Sequence, residues 1–143
     1  MSLVVKKITS STVDVPVQVP GELKSGSLPA TWKLHEWEEY RKIAEALKKG
    51  EMDDEELVNK ELVDIDVVLQ EEWREDEGGA PEGLKVVKRE KIEGEEGYIV
   101  VTERSLGFAE AKELVMSTTY IRRPLIMSWF AAQEGRNQAA AKN

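Results

Sequence analysis

Residues Tyr120 to Gln133, reading Tyr-Ile-Arg-Arg-Pro-Leu-Ile-Met-Ser-Trp-Phe-Ala-Ala-Gln, carry more apolar surface than one helix needs to bind a single core. At about 100° per residue, Ile121, Leu125, Ile126, Trp129 and Phe130 spread over roughly half the circumference, wider than the ~100° stripe of an ordinary surface helix. Arg122 falls inside that half, while Arg123, Met127, Ala131 and Glu134 occupy the other. Such a helix serves two surfaces. One flank is expected to pack on the core and the other to be kept for something else. A plain core helix ending in a loose tail is the simpler alternative. Pro124 either kinks this helix or stands near its first turn, since a proline deep inside costs about 3 kcal/mol.

The opposite end of the chain reads as β structure. Valines 13, 15, 17 and 19 alternate on a strict period of two, the mark of a strand with one buried face. Residues 3 to 9 are also rich in β-branched side chains, so Ser10 to Thr12 is expected to be a hairpin turn. Pro16 cannot donate a ladder hydrogen bond, which places its strand at an edge or puts its N–H side toward solvent. Leu28, Ala30, Trp32 and Leu34 alternate more loosely as a third strand. The result is a small antiparallel meander whose apolar face needs a cover.

That cover begins at Glu36 to Lys49, where Trp37, Tyr40, Ala44 and Leu47 recur at spacings of three and four beside Ile43. Acidic residues in its first turn, Lys48 and Lys49 in its last and Gly50 after it are all helix boundary signals. Asp53 with Glu56 three residues on is a capping-box pattern for a second helix through Leu57, Val58 and Leu62. Val63, Ile65 and Val67 alternate with aspartates, and period alone does not decide between helix and strand there. Residues 70 to 97 read as the least regular part, with Trp73 anchoring a loop. Residues 84 to 92 and 97 to 102 form a possible second hairpin. Gly107 precedes a short helix through Val115, and Ser117 to Thr119 offer hydroxyl caps for the last one. The fold class is therefore α+β: an N-terminal meander packed with several short helices, in one domain over residues 1 to 134, with a flexible tail from 135 to 143.

Chemistry is harder to find. The chain has no cysteine and one histidine, His35, which excludes disulfides, thiolate nucleophiles and multi-histidine metal sites. His35 reads as a capping or surface residue at a helix start. The acidic run at 75 to 79 lacks the ligand order of a calcium loop, and no glycine spacing cradles a phosphate. Carboxylates are abundant but nothing selects a catalytic pair. No catalytic, cofactor or metal residue is assigned, and no enzyme is expected. The net charge of -8 is concentrated in residues 51 to 77, which hold 13 acidic side chains against Lys60 and Arg74. That field disfavours nucleic-acid binding, although it suits an acidic inhibitor or DNA mimic acting through this face. No run approaches the ~20 apolar residues of a membrane span, and the N-terminal run is too short for a signal peptide, so a soluble intracellular protein is expected.

The order of these parts resembles the tail assembly chaperones of long-tailed, siphovirus-type bacteriophages. The resemblance rests on the β segment, the aromatic helix Trp37 to Leu47, the acidic helix leading through Val63-Asp-Ile-Asp-Val to a tryptophan, and above all Ile121 to Gln133 with its Ala-Ala-Ala-Lys-Asn ending. Residues 84 to 97 look like an insertion relative to that pattern. The resemblance implies a non-enzymatic oligomer of the host cytoplasm that binds and solubilises the tape measure protein, promotes tail tube polymerisation, and is absent from the mature virion. It also implies a longer frameshifted product that meets the tail tube protein. Arg122, Arg123, Ile126, Met127 and Phe130 are the expected partner-binding residues.

Overall fold

A computed structural model describes residues 2–22 and 26–137, and it is mixed α+β with two small antiparallel sheets and four α-helices. Strand β1 (Ser10–Val17) pairs with β2 (Gly26–Lys33), Val13 opposite Ala30 and Val15 opposite Leu28. Helices α1 (Trp37–Lys49) and α2 (Asp54–Glu61) follow, and then β3 (Leu62–Ile65) returns to the free side of β2 with Ile65 opposite Ala30. The sheet order is β1-β2-β3. After an intervening segment come α3 (Phe108–Ser117) and α4 (Thr119–Gln133). All these elements belong to one compact unit, formed by the described residues up to 66 and from 108 onward.

The second unit, residues 67 to 107, is an antiparallel sheet of β4 (Val68–Arg74), β5 (Lys85–Lys91) and β6 (Tyr98–Ser105) with β6 in the middle. A 3-10 turn, Glu75–Glu77, follows β4. Trp73 donates its indole N–H to Thr102 Oγ1 at 2.9 Å, joining β4 to β6. The Leu106 N–H donates to the Val67 carbonyl at 3.0 Å, so the chain enters and leaves this unit at one place. Residues 67 to 107 thus form a compact unit of their own, inserted in sequence between the two segments of the larger one.

The expected meander is present, with different strands. Residues 3 to 9 lie in no strand, and Ser10 to Thr12 belong to β1 instead of a turn. Leu3-Val4-Val5 followed by Lys6-Lys7 has no period of two and therefore no defined buried face, whereas Val13, Val15 and Val17 alternate and are all buried. β1 is an edge strand, as Pro16 allows. Asp14 turns its N–H away from β2 to the Asn137 carbonyl at 2.8 Å, and Pro16, two residues on, directs its nitrogen the same way and costs no ladder bond.

Local signals hold at the helix ends. Gly50 closes α1 at φ 77°, a left-handed conformation that a Cβ would disfavour, and Asp53 accepts the Glu56 N–H at 2.9 Å. Residues 62 to 65 are strand, which settles the ambiguity over Val63 and Ile65. Residues 68 to 74 and 85 to 91 are strands, the second with a register shift between Val86 and Lys88, so the stretch from 70 to 97 is more ordered than its composition suggests. Trp73 sits within β4 and ties its own sheet together. The hairpin expected around 84 to 102 is β5 paired with β6. Ser117 and Thr118 both donate their hydroxyls back to the Leu114 carbonyl, closing α3, and Thr118 makes no side-chain cap to α4. Pro124 is the sixth residue of α4, inside the helix. Beyond Gln133 the chain is not loose at once: the Arg136 N–H reaches the Ala131 carbonyl at 2.8 Å and Asn137 rests on β1. The remainder of the expected tail, residues 138 to 143, lies outside the described residues.

Candidate partner-binding surface

Helix α4 is the element on which the larger unit closes. Leu125 and Trp129 are fully buried, Ser128, Ala131 and Ala132 nearly so, and α4 packs on β1 and α3. Ala131 therefore belongs to the core side, not to the outer half where the helical wheel puts it. Ile121 is half-buried.

Two indoles fix the helix. Trp32, fully buried on β2, donates to Ser128 Oγ at 2.9 Å, and Ser128 in turn donates to the Leu125 carbonyl at 2.5 Å. Trp129 donates to Glu61 Oε1 at 3.2 Å, and the same carboxylate meets His35 Nε2. Glu61, the last residue of α2, is only 6% exposed, so these two partners replace the water it has lost. Gln133 completes the belt: its Oε1 accepts the His35 N–H at 3.0 Å and its Nε2 donates to the Lys33 carbonyl at 2.6 Å. His35 is thus a partner of a buried carboxylate, and Glu36 occupies the cap position before α1. Sequence reasoning missed this cluster, because His35, Glu61, Trp129 and Gln133 are brought together only by the fold.

Of the residues expected to bind partners, Met127 is well exposed, at 64%. Arg123 is exposed as well, and Tyr120, at spacings of three and then four before Met127, continues the same line along α4. Phe130 is half-buried, its ring edge-on to Trp129 with centroids 4.9 Å apart. Ile126 is half-buried. Arg122 is engaged inside the unit: it donates to the Met116 carbonyl at 3.0 Å and faces Asp54 at 3.5 Å. Tyr120, Arg123, Met127 and the outer side of Phe130 form one apolar line carrying a cation, while Arg122 braces α4 against α3 and α2.

No protein-family model matches the chain, and no curated protein or solved structure does. The surface itself must therefore carry the functional argument.

Two further features border it. Trp37, at the start of α1, is 68% exposed, although the helical pattern groups it with the core; Ile43 is the residue of α1 that is buried. Trp37 lies 5.7 Å from Tyr40, which stacks at 5.4 Å on Trp129, so an aromatic series runs from the surface to the core. A groove of about 390 Å³ opens there, lined by His35, Trp37, Tyr40, Gln133 and Glu134. Between α2 and α3 a second depression of about 310 Å³ is lined by Glu55, Val58, Lys112 and Met116 among others. Lys112 donates to Asn59 across it at 3.1 Å. Among the described residues no group of histidine and acidic side chains is arranged to hold a metal ion, and no helix is long and apolar enough to cross a membrane.

Proposed function

We propose that this protein is a non-enzymatic tail assembly chaperone of a long-tailed bacteriophage, which binds the tape measure protein, keeps it soluble and promotes polymerisation of the tail tube around it. The observation that supports this reading most is the outer line of α4. A helix whose opposite side is locked by Leu125, Trp129 and two indole hydrogen bonds still leaves Tyr120 and Met127 in solvent beside Arg123. A flexible, polarizable methionine next to an aromatic ring suits a long helical client whose sequence varies along its length. Phe130 extends that line toward the aromatic groove, and Ile126 flanks it.

In this reading the protein self-associates, works in the cytoplasm of the infected host and is left out of the mature virion. A frameshifted longer product carries an extension that meets the tail tube protein. An extension beyond Asn137 leaves the core intact, since the last core residues are Ala131 and Ala132.

The acidic face provides the competing reading, an inhibitor or DNA mimic. Asp53, Glu55 and Glu56 are exposed at the start of α2, where they also complement the helix dipole. Replacing Asp53, Asp54, Glu55 and Glu56 by lysine separates the two in a co-purification assay with the tape measure protein of the same phage. The chaperone reading predicts that the reversed variant still carries the client. Loss of the client on charge reversal, together with its retention by Met127→Glu, would transfer the function to the acidic face.

A further inference from the structure

The segment from Leu3 to Ile8 precedes β1 and is left out of the sheet. Leu3 is 87% exposed and Val5 83%, with Val4 and Ile8 also in solvent. Four large aliphatic side chains within six residues, in a stretch of chain with no strand partner, are more than isolated surface residues explain. The same stretch carries Lys6 and Lys7 and no acidic residue. Its root is fixed: the Thr9 carbonyl accepts the Leu34 N–H at 2.9 Å. The arm therefore leaves the unit at the end of β2 that leads directly into His35 and Trp37.

The aromatic groove has the complementary chemistry. Trp37 and Tyr40 supply an apolar floor whose outer ring is mostly in solvent, and Glu134 stands on its rim. Glu36 precedes the helix that carries both rings and Glu38 and Glu39 lie in its first turn; Glu38 also pairs with Arg41 at 3.0 Å, and Glu134 with Arg136 at 3.3 Å, both at the surface. An aliphatic arm bearing two lysines fits an aromatic groove with Glu134 on its rim and acidic residues at the start of the adjoining helix, through apolar burial on the floor and charge attraction at the rim. The arm does not fill its own groove, because all four of its aliphatic side chains are exposed.

We infer that the arm Leu3–Ile8 of one copy docks in the Trp37–Tyr40 groove of a second copy, and that this exchange is the contact through which the protein self-associates. The occupant is a second copy of this chain. Because the self-association is part of the function proposed above, the inference rests on that reading, but its test does not involve the client.

The absence of cysteine makes the test clean. Val5→Cys and Glu134→Cys are made in separate chains, mixed and oxidised. A disulfide-linked dimer of the two is expected, and none between Val5→Cys and a control Glu55→Cys chain. In parallel, sedimentation is measured for the parent, for a chain lacking residues 2 to 8, and for Trp37→Ala, whose exposed ring makes unfolding an unimportant outcome. Each change is expected to weaken association by about tenfold or more, and raised salt to weaken that of the parent. Equal association of parent and arm-deleted chains, or no more disulfide between Val5→Cys and Glu134→Cys chains than between Val5→Cys and the control, overturns the inference. A client that stays soluble with a dissociated variant leaves the chaperone reading standing while the arm contact is judged on sedimentation alone.

Discussion

The indole N–H of Trp32 and the hydroxyl of Ser128 lie 2.9 Å apart across 96 residues of sequence, and both residues are buried. That bond fixes α4 on the middle strand of the sheet and so determines which side of α4 remains outside. Ser128→Ala removes the acceptor and leaves a buried indole N–H without a partner, which costs about 1–3 kcal/mol. Urea unfolding is expected to show a lower midpoint with an unchanged slope. A midpoint equal to that of the parent would mean that the bond does not hold the helix.

Glu61 is the second point of attachment. Glu61→Ala strands both the Trp129 indole and His35, and a loss of about 3 kcal/mol is expected in thermal or urea unfolding. Glu61→Gln keeps an acceptor for Trp129 and should lose clearly less. Equal losses for the two variants would show that packing, not the polar cluster, accounts for the effect.

Much of this fold was legible in the sequence where its cause is local. Gly50 and the Asp53–Glu56 bond are helix ends fixed by the backbone itself, and Val13, Val15 and Val17 announce a buried face. The hairpin of β5 and β6 was legible from the β-branched run at Tyr98 to Val101 and the glycine-bearing turn before it, although β5 itself has no buried face. The third strand of the first sheet was not. Leu62–Ile65 pairs with β2 across two helices; the alternation of Val63 and Ile65 with aspartates left a strand open there, but nothing local names its distant partner. The inward turn of Ala131 and the outward turn of Trp37 were likewise invisible, because a helical wheel gives relative angles and the neighbours decide which angle is inside. His35 with Glu61 belongs to the same class: each side chain is ordinary in its own surroundings, and only α2 returning beneath α4 makes them partners.

On α4 the account separates two substitutions. Met127→Glu places a charge where the side chain is already solvated, so stability should stay within about 0.5 kcal/mol of the parent. Phe130→Glu removes an edge-on contact with Trp129 and should lower stability measurably. Both are expected to weaken client capture by about tenfold or more, read by co-purification after circular dichroism has shown the fold intact. Parent-like capture by both would place the client elsewhere.

In the smaller unit, the Arg74 guanidinium, hydrogen-bonded to Asp76, holds the Asp76 carboxyl below its ordinary value of 3.8. A carboxyl whose value is lowered by folding contributes its stabilisation fully above that ordinary value, and loses it as pH falls through the lowered one. The Asp76 titration, followed by NMR, should therefore move upward in Arg74→Gln. An unmoved titration would show that the pair does not set the charge of Asp76.

The central claim is that this chain keeps a tape measure protein in solution, and the most direct measurement is the soluble fraction of that protein, from the same phage, expressed with and without it. The account predicts that the tape measure protein becomes largely soluble only when the two are made together, and that the two proteins purify as one complex. A tape measure protein that remains as insoluble as before, with nothing co-purifying, would contradict it.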